Sequence, residues 1–232
     1  MLTKRSRDER GPTDAGWLKS QHSFSFGHYY DPNHRGYGPL RVINEDYVAP
    51  GAGFETHSHN NMEIISYVLE GELAHKDSMG NGSVIRPGDI QLMSAGAGVQ
   101  HSEFNYSKTD NVHFLQIWIV PNEKNINPSY QQKSFADSDL RNQFRVVISA
   151  DGAHDSLLIH QDASMLAGRF DKDTEITWAT KPGRRYWVQM ARGMAVINGE
   201  NVVAGDGLAI EEENEIFIKS LDQSEIIIFN LP

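Results

Sequence analysis

Short β-forming runs recur along nearly the whole chain, and this repetition constrains its fold more than any other feature. Segments rich in Val, Ile, Phe, Tyr and Trp alternate with turns of Gly, Asn, Asp and Pro. The pattern predicts strands over 40–48, 62–69, 72–77, 83–86, 89–94, 112–120, 144–149, 157–161, 164–171, 174–179, 185–191, 193–198, 202–204, 207–211, 215–219 and 224–230. Met79-Gly80-Asn81-Gly82 and Asn198-Gly199 supply hairpin turns, because Asn and Gly tolerate the positive φ that tight hairpins need. Helical evidence is thin; residues 128–142 have room for one or two short turns or a short helix. Many short strands at regular spacing build a sandwich or barrel, not a βαβ fold.

Two stretches run in parallel outline. One is YVLEGELAHKDSMGNGSVIRPGDIQLM in the first half, the other VQMARGMAVINGENVVAGDGLAI in the second. Each reads strand, Gly, strand, Gly-containing turn, strand, Gly-Asp, strand, the mark of one duplicated barrel. Between them lies a polar region from Pro121 to about Gln143 that carries Pro128 and several Asn and Gln residues. The expected organisation is a first barrel over 1–122, a linker over 123–143 and a second barrel over 144–232. A chain of 232 residues can bury a core without staples.

The formal net charge of −10 argues against direct contact with nucleic acid, whose binders carry an excess of Lys and Arg. The absence of cysteine excludes disulfides, thiolate metal sites and a Cys nucleophile, and fits a reducing compartment. The opening MLTKRSRDERGPTDAGW has charges of both signs and no apolar run, unlike a secretory signal. No stretch approaches the roughly 18 apolar residues of a membrane helix. A cytoplasmic location with no membrane partner is the expectation.

HSHNNME, residues 57–63, places His57 and His59 two apart, so on a strand both face one side. Downstream, GDIQLMSAGAGVQHSEF places His101 and Glu103 two apart in the same way. By itself an HxH pair also describes an exposed polar turn. Three imidazoles and a carboxylate converging in a barrel would instead bind one divalent transition metal, with Fe(II), Mn, Co, Ni, Cu and Zn all compatible with N/O donors.

The same residues carry a family resemblance. Gly51-x5-His57-x-His59-x3-Glu63-x7-Gly71 resembles the first cupin motif with one extra residue before the last glycine. Gly88 to Glu103 resembles the second, with Ser94 where many cupins have proline. HSHNNMEIISYVLEGELAHKDSMGN, PGDIQLMSAGAGVQHSE and QHSFSFGHYYDP resemble pirin signatures, and the likeness covers essentially the whole chain. It is similar in particular to bacterial pirin-like quercetin 2,3-dioxygenases. The resemblance implies an all-β bicupin: two jelly-roll-type barrels joined face to face, with few short helices. It implies one metal, Fe(II) favoured, on His57, His59, His101 and Glu103, with Glu63 beside them to orient a ligand or a water. It also implies a flavonol-like substrate and O2, with Glu103 taking the proton of the substrate's 3-hydroxyl before ring opening and loss of CO. Two other roles fit the motifs: a metal-binding regulatory protein with a protein partner, and a cupin isomerase that uses the metal as Lewis acid.

Aligning Gly193 with Gly71 puts Ala179, Lys181 and Arg185 where His57, His59 and Glu63 stand. Aligning Asp206 with Asp89 puts Ile218 and Ser220 where His101 and Glu103 stand. The second barrel is thus expected to lack metal ligands. Among the other histidines, His113 in VHFLQIWIV reads as a hydrogen-bonded core residue. His34, His75, His154 and His160 have no partner at ligand spacing. Phe54, Met62, Met93 and Phe104 interleave with the expected ligands, as pocket walls or as ordinary core.

Overall fold

The computed structural model describes residues 1–232 and is almost entirely β. It divides into two compact units. One comprises Gly11–Phe135 and Ile159–Gln161; the other comprises Met1–Arg10, Ala136–Leu158 and Asp162–Pro232. Each pairs a seven-stranded sheet with a four-stranded sheet.

In the first unit the larger sheet runs in the order Ser129–Ser134, Asp89–Ser94, Glu63–Glu70, Val112–Ile119, Leu40–Val48, Leu18–His22, Gly11–Asp14. The smaller runs Gly53–His59, Val99–Asn105, Leu73–Asp77, Gly82–Ile85. Side chains alternate across each strand. On Glu63–Glu70 the even positions face the barrel interior: Val68 packs with Leu73 and Ile85, and Ile64 with Met93 and Val99. Burying these apolar groups contributes about 1.5–3 kcal/mol per large side chain and drives closure of the barrel.

The second unit repeats the plan. Its larger sheet runs Leu2–Arg5, Gly207–Ile210, Arg185–Arg192, Ser224–Leu231, Ser164–Phe170, Arg145–Ser149, Leu157–Leu158. Its smaller sheet runs Glu175–Ala179, Glu215–Ser220, Met194–Ile197, Glu200–Val203. Its interior is one apolar cluster that includes Leu166, Val188, Leu208, Ile216, Ile218 and Ile228.

Several strands lie outside the sequence expectation. Gly53–His59 and Val99–Asn105 are strands although GFETHSH and VQHSEFN carry polar residues on both faces. Leu2–Arg5 joins the second unit, where it pairs with Gly207–Ile210 and Lys4 Nζ lies 2.8 Å from the buried Asp206 carboxylate. Within the expected linker, Ser129–Ser134 is an edge strand of the first barrel, paired with Asp89–Ser94. Its sequence SYQQKS is polar because an edge strand is held by backbone pairing more than by burial. The short helix expected nearby is Asp137–Leu140. No helix is long and apolar enough to cross a membrane.

Candidate metal centre

Strand pairing brings the four residues HxH and HxE onto neighbouring strands. His57 lies directly opposite His101, and His59 opposite Val99. The register then slips by a bulge, so that Phe54 lies opposite Glu103. Gly53 makes this close approach possible: a Cβ there would sit 2.2 Å from the carbonyl oxygen of Glu103.

One ring nitrogen each of His57, His59 and His101 lie within 4.8 Å of one another. The three ring centroids are 4.4–4.8 Å apart. His57 Nδ1 is 2.8 Å from the carbonyl oxygen of Glu55, so Nδ1 carries the hydrogen and Nε2 is left with its lone pair. Burial, reinforced by His57, lowers His59 to about 4. Burial first, then His57, His59 and His75, lowers His101 to about 3. All this favours neutral imidazole, the form that binds metal. His101 is 1% exposed and neither ring nitrogen has a hydrogen-bond partner, a costly state that a cation relieves. These donors fit one divalent transition metal.

Glu103 is equally buried, but it groups with His101 and His75 rather than with His57 and His59. Its carboxylate accepts from Ser66 Oγ at 3.0 Å and from Gln116 Nε2 at 2.7 Å. Burial raises it to about 7, against the lowering effect of those two hydrogen bonds. His75, which sequence spacing passes over, is thus part of the cluster. It sits on Leu73–Asp77, directly opposite Glu103, and only the strand register reveals it.

Glu63 is a buried carboxylate whose hydrogen bonds go to groups other than the histidines of the cluster. Its Oε2 accepts from Ser94 Oγ at 2.9 Å and from the His160 amide at 3.3 Å, and Oε1 has no partner. The reason is parity: Ile64 and Ser66 face the barrel interior, so Glu63 faces the opposite side of the sheet. His113 is the expected core histidine, 2.9 Å from Glu45 Oε1 and stacked on Tyr47.

A cavity of about 860 Å3 opens beside the histidines, lined among others by Trp17, Phe26, Phe54, His57, His59, Phe104 and Trp118. Trp17 and Phe54 meet edge to face at 5.2 Å, and Trp118 packs edge to face on Phe26 and on His59. Of the interleaved apolar residues, Phe54 and Phe104 line this cavity, while Met62 and Met93 pack in the core with Ile64. The cavity has the size and apolar lining of a small-molecule site.

Two small cupin barrels in one chain, one of them enclosing a histidine cluster beside an aromatic cavity, define a bicupin. The family model described as Pirin matches residues 3–119, and that described as Quercetinase C-terminal cupin domain matches residues 146–231. The chain belongs to the pirin family. It is 44% identical to "Quercetin 2,3-dioxygenase" of Escherichia coli K12, over 100% of this chain and 99% of that one. It is 38% identical to "Pirin-like protein" of Caulobacter vibrioides, over 98% of each. Among solved structures it superposes with a TM-score of 0.95 on the bacterial pirin YhhW of Escherichia coli in complex with nickel(II). That match is at 44% identity and covers 100% of this chain and 99% of that one.

Proposed function

We propose that this chain is a metal-dependent flavonol dioxygenase, acting on quercetin-like substrates with O2. In this reading His57, His59, His101 and Glu103 hold one metal, Fe(II) favoured. The observation that carries it is the imidazole cluster opening onto an aromatic cavity sized for a flat polyphenol. The name of the Escherichia coli relative and the nickel of the YhhW complex support it. A bound divalent metal supplies Lewis acidity and a centre at which dioxygen chemistry can proceed.

The chain's own residues do the rest. Trp17, Phe54, Phe104 and Trp118 bind the flat rings and exclude water from them. The flavonol presents its 3-hydroxyl to the histidine cluster. Glu103 accepts that proton, and Ser66 and Gln116 hold its carboxylate in place while it does so. The substrate then takes up one O2; its heterocyclic ring opens and one CO leaves. A cytoplasmic location fits a chain without cysteine.

The test is oxygen uptake with quercetin by protein stripped of metal and reloaded separately with Fe(II), Mn, Co, Ni, Cu and Zn. Uptake that needs the metal and disappears in His57→Ala and Glu103→Ala supports the assignment. Tight metal binding with no uptake under any metal rejects it.

A further inference from the structure

We propose that the first barrel contains a second, deeper position for a divalent transition metal, formed by His75, His101 and Glu103. One donor atom from each lies within 4.8 Å of the others, the same closeness that His57, His59 and His101 show. The three residues are 3%, 1% and 1% exposed, whereas His57 and His59 are only half-buried at the cavity. His75 stands on the strand that flanks Val99–Asn105 on the side away from His57 and His59.

The hydrogen bonding around His75 is that of a prepared ligand. Its Nε2 lies 3.3 Å from Asp77 Oδ2. A carboxylate only accepts, so Nε2 carries the hydrogen and the Nδ1 lone pair is free when the ring is neutral. Nδ1 is buried and has no partner. Asp77 is itself fixed by the backbone amides of Met79 and Asn81 and by the Asn81 side chain, at 2.9–3.0 Å. A carboxylate holding the far nitrogen of an imidazole is how proteins set the tautomer and direction of a metal-binding histidine.

A second observation comes from polar atoms left without partners. An ion on His57 and His59 engages one ring nitrogen of His101 and does nothing for His75 Nδ1. Both amide atoms of Gln91 are also buried and unpartnered. Gln91 lies opposite Ser66, whose hydroxyl donates to Glu103, so it faces the same interior. Each buried unpaired group costs about 1–3 kcal/mol, and those of His75 and His101 belong to the deeper position itself. Two imidazoles and one carboxylate are a donor set for Fe(II), Co(II), Ni(II) or Zn(II). The deeper position takes His101 and Glu103 from the ligand set of the proposed function, so a single ion occupies one position or the other.

Co(II) binding by the full-length chain tests this without any turnover assay, by visible absorption and by X-ray absorption fine structure. His57→Ala/His59→Ala, which removes the outer pair, is expected to keep one Co(II) per chain with two imidazole neighbours. Adding His75→Phe is expected to abolish saturable binding. Adding Asp77→Asn instead is expected to weaken it by about 10–100-fold, the usual effect of losing a ligand's hydrogen-bond partner. A double variant that binds Co(II) no better than the triple variant overturns the proposal. Should the double variant fail to fold by circular dichroism, crystals of His59→Ala soaked in Co(II) decide. An anomalous peak at bonding distance from His75 and Glu103 supports the position, and a peak confined to His57 and His101 overturns it.

Discussion

The two barrels share one strand order, and what lies on their inner faces is opposite in character. Across the larger sheet of the first barrel, directly opposed residues form the row Gln91, Ser66, Gln116, Asn44, His22. At the corresponding places the second barrel has Leu208, Val188, Ile228, Leu166, Val146. The smaller sheets differ in the same way. Where His101 lies opposite His57 and Glu103 opposite His75, the second barrel sets Ile216 against Trp178 and Ile218 against Ile197. One architecture therefore tolerates either an interior that is apolar throughout or one in which a polar row crosses the apolar packing. The polar interior leaves buried nitrogens and oxygens unpaired, a state that makes sense in a barrel built to receive an ion.

The largest way to break this contrast is to remove the residue shared by both candidate triads. His101→Ala should abolish metal binding and lower quercetin-dependent oxygen uptake by a thousandfold or more, on the order of 4 kcal/mol of transition-state stabilisation. Retained metal stoichiometry by elemental analysis would count against both triads at once. The reverse exchange loads the apolar barrel with a charge. Ile218→Glu puts a carboxylate where Glu103 stands, without the equivalents of Ser66 and Gln116 to hydrogen-bond it. It should cost about 3–5 kcal/mol in urea unfolding at pH 8, the penalty of an uncompensated buried charge. A shift of less than 1 kcal/mol would mean that the second interior is more polar or more yielding than its row of Ile and Val implies.

Much of this contrast is legible in the sequence, and what is not has physical causes. Alternating apolar runs mark most strands of both large sheets, because burial imposes the period of two. Gly53–His59 and Val99–Asn105 escape that test, since the inner face that should be apolar carries the candidate ligands. The spacing of HxH and HxE singles out three histidines and a glutamate, yet spacing cannot find His75. Its place beside Glu103 depends on pairing between strands about thirty residues apart, which no local motif encodes. The alignment of the two halves is also displaced. His101 follows Asp89 by twelve positions, while Ile216, the residue in the matching place, follows Asp206 by ten. A turn shortened by two thus puts Ile216 and Ile218, not Ile218 and Ser220, where His101 and Glu103 stand. Trp178 likewise replaces the expected Ala179 opposite the first of them.

A smaller effect tests what the polar interior costs in stability. Asp46 is fully buried, and its Oδ1 has no partner. Burial raises it to about 7; the Ser20 hydrogen bond opposes this, and the charges of Glu103 and Glu45 add to it. Between the ordinary value of 3.8 and about 7 the folded chain holds a proton that the unfolded chain has released, so stability falls as pH rises through that window. Asp46→Asn should remove this slope. The variant should be more stable than the parent by about 2 kcal/mol at pH 8, with the advantage gone at pH 4. Parallel unfolding curves for the two proteins from pH 4 to pH 8 would show that Asp46 remains ionised, with water or an ion supplying the missing partner.

The smallest effect concerns the cavity wall. Phe54 lies opposite Glu103 and meets Trp17 edge to face, and Ile176 occupies the matching place opposite Ile218 in the second barrel. Phe54→Ile therefore gives the first barrel the residue of the second while keeping the position apolar. What it removes is the aromatic pair, worth about 0.5–1.5 kcal/mol beyond the area it buries. In the proposed flavonol site that pair lines the wall for the flat rings and lies away from the reacting atoms, so its loss should fall on ground state and transition state alike. The expected result is a KM for quercetin raised about fivefold with kcat nearly unchanged, the fivefold being about 1 kcal/mol. A fall in kcat at constant KM would instead make Phe54 part of the support for Glu103, through the bulge that places the two residues opposite each other.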